Sequence, residues 1–296
     1  MSLFHNRNYR LLWFSHFSGT LANELFSISI VVLVFASTGS TLQTTGVLVA
    51  RHLPPLLLGP FAGSFVDRLP RRAMLVTTQL LRAAIVALAL LPIVSEVVWL
   101  GFVLVFALTM AEIVQKPAML ATLPTIVAPN QIVRANSLIF TTTQAAFASA
   151  YLMGGLLVVA FGIVPLVVLD IVLFLLAAGA AAWLSAIPQH GQIGQEPFWQ
   201  TVRAGFVYLR QHQMARSLIT VEFLESWPHG AWTSALMLSF TAQALQAGTD
   251  AWGYQNGAFF AGQIIGALLA LTYANRLSRR PGWIIMATAF GWGCGR

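Results

Sequence analysis

The chain has 296 residues, 57% of them hydrophobic and only 8% charged, with a formal net charge of +7 and a mean hydropathy of +0.76. A soluble domain carries about 25% charged residues, so this chain lacks the polar surface that water demands and is expected to be an all-α integral membrane protein. The single cysteine, Cys294, excludes an internal disulfide framework and a cysteine metal cluster, and no basic face with interleaved aromatics points to nucleic acid.

A helix needs ~20 apolar residues to cross the hydrocarbon core. On that ruler, spans are predicted near 11–36, 43–66, 73–94, 97–119, 137–161, 163–187, 216–242 and 251–274, with a ninth beginning at 282. The runs are continuous rather than ten-residue alternations, which points to helices and not a barrel. The opening MSLFHNRNYRLLWF has no short apolar stretch ending in a small-residue cleavage site, so the first apolar segment is expected to be a span itself.

Arginines collect in alternate links: Arg7 and Arg10; Arg68, Arg71 and Arg72; Arg134; Arg203, Arg210 and Arg216; Arg276, Arg279 and Arg280. The links around 37–42, 95–96, 161–163 and 243–250 hold none. Because positive residues stay on the cytoplasmic side, the N-terminus is expected there. The organisation that follows is a six-helix bundle over 1–187, a cytoplasmic linker over 188–215 and a partial second bundle over 216–296. Within the linker, Phe198, Val202, Phe206 and Leu209 recur at helical spacing. They predict an amphipathic helix, lying either at the membrane interface or packed on the bundle.

Residues 63–72, GSFVDRLPRR, concentrate four charges in ten positions, and 275–280, NRLSRR, resemble the same turn written again. The alignment pairs Arg68 with Arg276, Arg71 with Arg279 and Arg72 with Arg280, while Asn275 stands where the first copy has Asp67. Both copies follow the second span of a block of the same polarity, as in a parallel repeat about an axis along the membrane normal.

An ionisable side chain at a helix centre costs about 2.5–3.5 kcal/mol on insertion scales, so each one needs a reason. Glu24 lies midway along the first span, Arg51 in the second and Arg82 in the third. Glu112 and Lys116 stand four apart in the fourth, Asp170 lies in the sixth, and Glu222 and Glu225 are in the seventh. Either these groups line a polar cavity for a proton or a charged substrate, or they pair within helix interfaces, as Glu112 and Lys116 could at their i,i+4 spacing. Gly154, Gly155, Gly257, Gly262 and Gly266 permit close helix contact, and Pro54 with Pro55 predicts a bend in the second span. Trp13, Trp99, Trp183 and Trp252 near span ends read as interfacial anchors. There is no HExxH, GxSxG or Walker glycine loop. No enzymatic activity, cofactor or metal is therefore expected.

Gly63, Asp67, Arg68, Arg71 and Arg72, in the pattern Gly-x-x-x-Asp-Arg-x-x-Arg-Arg between the second and third spans, resemble the signature of the major facilitator superfamily. NRNYRLLWFSHFSGTLANELF near the start and KPAMLATLPTIVAPNQIVRANSL at 116–138 resemble its macrolide-efflux and siderophore-export branch. The resemblance implies twelve helices in two halves around a central cavity that alternates its access. The function implied is secondary transport of an amphipathic small molecule outward with a counter-moving proton, by a monomer in the lipid bilayer of the cytoplasmic (inner) membrane. Glu24 and Glu222, in the first helices of the two halves, with Glu225, Asp170, Arg51 and Glu112, are the candidate proton and substrate residues. Asp67 would latch onto a helix of the second half, and Arg68, Arg71 and Arg72 would fix orientation.

The chain also departs from that pattern. Asn23 stands where the branch commonly has an aspartate, Ala150-Tyr151-Leu152-Met153-Gly154-Gly155 lacks the exporter proline, and a fourth-helix arginine is missing. Far fewer residues follow Arg280 than separate Arg72 from the end of the sixth span. The expectation is therefore a C-terminally truncated member, with a non-transporting fragment as the alternative.

Overall fold

The structure, a computed structural model, describes residues 3–66, 69–91, 97–185 and 198–233, together with 240–241, 244–246, 255, 258–259, 261–266 and 268–269. A one-turn helix at Leu3–His5 leads into α1 (Arg7–Thr38), followed by α2 (Thr41–Val66), α3 (Arg71–Ala87), α4 (Val98–Ile126), α5 (Ile132–Phe161), α6 (Ile163–Ala182), α7 (Phe198–Gln211) and α8 (Gln213–Thr233). All regular structure among the described residues is helical.

Local chemistry sets the helix ends. Asn6 caps α1, its Oδ1 accepting from the Tyr9 N–H, and Gly39 closes the helix at φ +61°, a left-handed conformation that costs glycine nothing. Gly162, at φ +77°, is the whole connection between α5 and α6; a side chain there would be strained. Between these ends, α4 runs without a break through Pro117 and Pro124, and α2 through Pro54 and Pro55.

Among the described residues, four helical segments are long and apolar enough to cross a membrane on composition alone: Arg7–Phe35, Arg71–Leu90, Trp99–Ile126 and Ile163–Ala182. α2 and α5, with 26 and 30 residues, also have the length to span. The outward side of α6 presents Val164, Val168, Leu169, Val172, Leu175 and Leu176. An apolar face of that extent suits lipid and not water.

α1 is the hub, packing against α6, α5, α4 and α2, while α2 packs on α4 and α3 packs on both α6 and α4. Its contact with α5 is a polar ladder at helical spacing. The Tyr9 hydroxyl donates to the Ala135 carbonyl at 3.2 Å, Trp13 Nε1 donates to Thr142 Oγ1 at 3.0 Å, and His16 Nε2 lies 3.1 Å from Thr143 Oγ1. Trp13 also stacks on Phe17 with centroids 5.7 Å apart, so it packs in the α1–α5 seam. Trp99 and Trp183 are exposed, as anchors would be; Trp252 lies outside the described residues.

α7 bears the predicted stripe only in part. Val202 is buried and Phe206 exposed, and the helix lies against α2, where Trp199 meets Phe61 edge-on at 6.1 Å. Farther along, a hydrogen bond from Gln144 Nε2 to Gln263 Oε1 ties α5 to the helical stretch 261–266.

The core is layered along the bundle. One apolar cluster, toward the end where the chain begins, joins Leu12, Met74, Leu75, Met119, Leu123 and Ile139. A second, toward the opposite end, joins Phe26, Ile30, Val86, Leu104, Leu108 and Phe174. Between them on α1, α3 and α4 lie buried polar groups: Ser15, Ser18, Asn23, Glu24, Thr78, Gln79, Arg82 and Gln115. The candidate site occupies this polar layer.

Candidate functional site

Three helices supply the polar side chains that meet in this layer, and the i,i+3 spacing on α3 and α4 puts each of those pairs on one face. α1 supplies Asn23 and Glu24, α3 supplies Gln79 and Arg82, and α4 supplies Glu112 and Gln115. α2 adds Arg51. Glu24 is 1% exposed, and its Oε1 accepts from Arg51 Nη2 in an ion pair and from Asn23 Nδ2 at 3.2 Å. Its Oε2 has no hydrogen-bond partner among the described residues.

Arg82, 2% exposed, is held from several sides. Nη2 donates to Asn23 Oδ1 at 2.8 Å, and Nη1 donates to Gln115 Oε1 and, at 3.4 Å, to Gln79 Oε1. Its guanidinium carbon sits 4.8 Å from the centroid of the Phe174 ring, a cation–π distance. Glu112 Oε2 is 3.8 Å from Arg82 Nη2 and accepts from Asn23 Nδ2 at 3.2 Å. The carboxylate of Glu112 is the accessible member of the group, with 41% of its side chain exposed. Glu112 therefore turns to neighbouring helices, where Arg82 is the cation within ion-pair reach, and not to Lys116 one turn away. The result is a continuous chain of contacts, Arg51–Glu24–Asn23–Glu112–Arg82, at the middle of four helices.

The predicted residues thus divide. Glu24, Arg51 and Glu112 come together. Asp170, fully buried on α6, stands apart from them, with neither carboxyl oxygen partnered among the described residues. The backbone of Glu222 and Glu225 lies in α8, but their side chains are outside the described residues, as are Asp67, Arg68, Asn275, Arg276, Arg279 and Arg280. Gly63 lies in α2, with open space where a side chain would begin.

Arg71 and Arg72 each bond the backbone of another helix. Arg71 Nη1 donates to the Ala121 carbonyl in the last turns of α4 at 2.8 Å, and Arg72 Nη2 donates to the Ala182 carbonyl that ends α6. Each satisfies backbone oxygens near a helix C-terminus, where a cation is favoured.

The sequence reading did not anticipate Asn23, Gln79, Gln115 or Gly19 as parts of the site. A legible signal was present: Gln79 with Arg82, and Glu112 with Gln115, are polar pairs three apart in otherwise apolar helices. Gly19 makes room for the Gln79 amide, because a side-chain carbon there would lie 2.5 Å from Gln79 Nε2.

A bundle of lipid-facing helices with a charged layer buried at mid-length defines a polytopic membrane protein of the transporter type, because ionisable groups at that depth mark substrate and ion pathways. The match to known proteins makes this particular. Residues 12–295 match the Major Facilitator Superfamily, and the chain belongs to that family. Over 290 residues it is 28% identical to the "Uncharacterized MFS-type transporter YjbB" of Bacillus subtilis (strain 168), covering 97% of this chain and 71% of that protein. It is 23% identical over 284 residues to the "Uncharacterized MFS-type transporter YfmI" of the same organism, covering 93% of this chain and 69% of the relative.

Proposed function

We infer that the protein is a secondary active transporter that moves an amphipathic small molecule outward across the cytoplasmic membrane by alternating access, in exchange for a proton. The observation that carries this reading is the Glu24–Asn23–Glu112–Arg82 arrangement. It joins one enclosed carboxylate and one accessible carboxylate through a single amide, beside a fixed guanidinium. A proton arriving from the cavity meets Glu112 first, and Glu24 lies one amide farther in. Protonating either carboxylate removes a negative charge that the buried arginines balance, which gives the bundle two charge states to couple to two conformations. Glu222 and Glu225, on the first helix after the linker, are the candidate proton or substrate residues of the other half. Asp170 is a third carboxyl, which can hold a proton away from this chain of contacts. The arginine asymmetry supports a cytoplasmic N-terminus, the turn at 63–72 acts as the conformational latch, and the transporter works as a monomer.

The test is export of ethidium by the full chain, expressed in a host lacking its own drug pumps, with and without an uncoupler. Export abolished by the uncoupler and by Glu24→Gln, at unchanged protein level, is the expected result. Retention of dye identical to the empty host, with the protein inserted in the membrane, would refute export of this substrate class. Full uncoupler-sensitive export by Glu24→Gln would remove Glu24 from the coupling site.

A further inference from the structure

Asn23 holds the position in the network where one substitution touches everything else. Its amide nitrogen has two N–H groups, and two acceptors are in place for them: Glu24 Oε1 and Glu112 Oε2, each 3.2 Å away. Its oxygen takes the Arg82 Nη2 proton at 2.8 Å. This orientation of the amide is dictated by its surroundings. Turned over, it would aim its oxygen at two carboxylates and its N–H groups at a guanidinium, losing three hydrogen bonds and adding repulsion. An aspartate of the same shape could still accept from Arg82, but it would set a third carboxylate against the other two and supply no donor.

The two glutamates do not touch through any bond of their own. They come from different helices, α1 and α4, and differ sharply in access, Glu24 being 1% exposed and the Glu112 side chain 41%. Their shared contact is the one side-chain nitrogen of Asn23, which is itself buried at 2% exposure.

We propose that Asn23 is a positioning residue that makes Glu24 and Glu112 one unit, passing a change at either carboxylate to the other through its amide and holding Arg82 against both. When one carboxylate loses its charge, its hydrogen bond from the amide weakens, because bonds to ionised acceptors are roughly twice as strong as neutral ones. The amide then settles toward the remaining carboxylate, and the oxygen that positions Arg82 turns with it. The accessible carboxylate is thereby connected to the enclosed one without a path of water between them. This inference rests on the proposed role of the two glutamates as the coupling carboxylates, but its test does not depend on transport.

The experiment uses the full chain in lipid nanodiscs, labelled with carbon-13 at the glutamate side-chain carboxyl and read by infrared difference spectroscopy. The Glu112 carboxylate band is identified by its loss in Glu112→Gln, and the Glu24 band by its loss in Glu24→Gln. With Asn23 present, Glu24→Gln is expected to shift the Glu112 band, and Glu112→Gln to shift the Glu24 band. In Asn23→Ala and in the near-isosteric Asn23→Leu, both cross-shifts are expected to disappear. Two results would overturn the proposal. One is an unmoved Glu112 band in Glu24→Gln with Asn23 intact, which needs no variant at position 23. The other is a cross-shift of the same size in the Asn23 variants, which would mean the carboxylates sense each other through space alone. Neither result bears on whether the chain exports ethidium, so failure here and failure of the transport reading are separate outcomes.

Discussion

Removing Arg51 should harm the bundle more than removing the carboxylate it serves. Glu24 is almost fully enclosed, and one of its oxygens already lacks a partner among the described residues. Arg51→Ala leaves that carboxylate with a single hydrogen bond, from Asn23. Breaking a buried ion pair by deleting one partner costs about 3–5 kcal/mol. The Arg51 side chain keeps 19% of its surface in contact with the surroundings, so water can replace part of what it supplied, and the expected cost is at the low end, ~3 kcal/mol. Glu24→Gln should cost less, ~1 kcal/mol, because the amide oxygen can still accept from Asn23 and Arg51 can turn toward its open side. The double variant should also sit near ~1 kcal/mol, since no unpaired buried charge remains, giving an interaction energy of about 3 kcal/mol. Reversible unfolding in mixed detergent micelles, with SDS as denaturant, measures all three. An Arg51→Ala cost below ~1 kcal/mol, or a double variant as unstable as Arg51→Ala, would refute the claim that Glu24 depends on this arginine.

Three further outcomes are expected by the same assay. Gly19→Ala, whose new carbon would meet the enclosed Gln79 amide at 2.5 Å, should destabilise by ~1–3 kcal/mol; Gly63→Ala, facing open space, should stay within ~0.5 kcal/mol of the parent. Equal effects at the two glycines would contradict the packing described. Phe174→Ala should cost ~3–5 kcal/mol by emptying a fully buried site, and Phe174→Leu about 2 kcal/mol, chiefly the lost contact with Arg82; a neutral Phe174→Leu would deny the cation–π contact any weight. Arg71→Ala should cost ~1 kcal/mol by losing its hydrogen bond to the Ala121 carbonyl, and Arg71→Lys should restore part of it, whereas a role confined to charge placement would leave both variants at parent stability.

The helices were legible because each is a long apolar run, and the first six predicted spans coincide with α1 to α6 to within several residues. The predicted ends were less accurate where a helix continues beyond its apolar stretch: α4 was expected to stop at 119 and runs to Ile126, through two prolines. Hydropathy measures lipid contact, and the last turns of α4 are held by protein instead. The Asn6 Nδ2 donates to the Ile126 carbonyl at 2.6 Å and Arg71 donates to that of Ala121. The seventh span is α8 over its described part, the eighth is described only at scattered helical residues, and the ninth lies outside the described residues.

The site was legible as a set of costly charges but not as an arrangement. Glu24, Arg51 and Glu112 each stood out because an ion in a lipid-embedded helix is expensive. Asn23 stood out only for lacking the charge of an aspartate, and its value lies in what an amide has and a carboxylate lacks, two donors facing two acids. Sequence distance hid the rest, since Arg82 and Asn23 are 59 residues apart yet share a hydrogen bond.

Stability alone gives little reason for the polar layer. A buried ion pair is often no better than apolar side chains of the same volume, and the layer is flanked on both sides by apolar clusters that could have been continuous. The chain nevertheless places two carboxylates, two guanidiniums and three side-chain amides between those clusters, on helices that all contact α1 or its direct neighbours. Any redistribution of charge in the layer must therefore act where α1, α2, α3 and α4 meet. The same layer leaves one carboxylate accessible and its partner enclosed, an asymmetry that a purely structural network does not require. That asymmetry favours a layer whose charge state changes during function, and it is why the Glu24 and Asn23 variants, more than any at the helix ends, decide between a working site and a packed one.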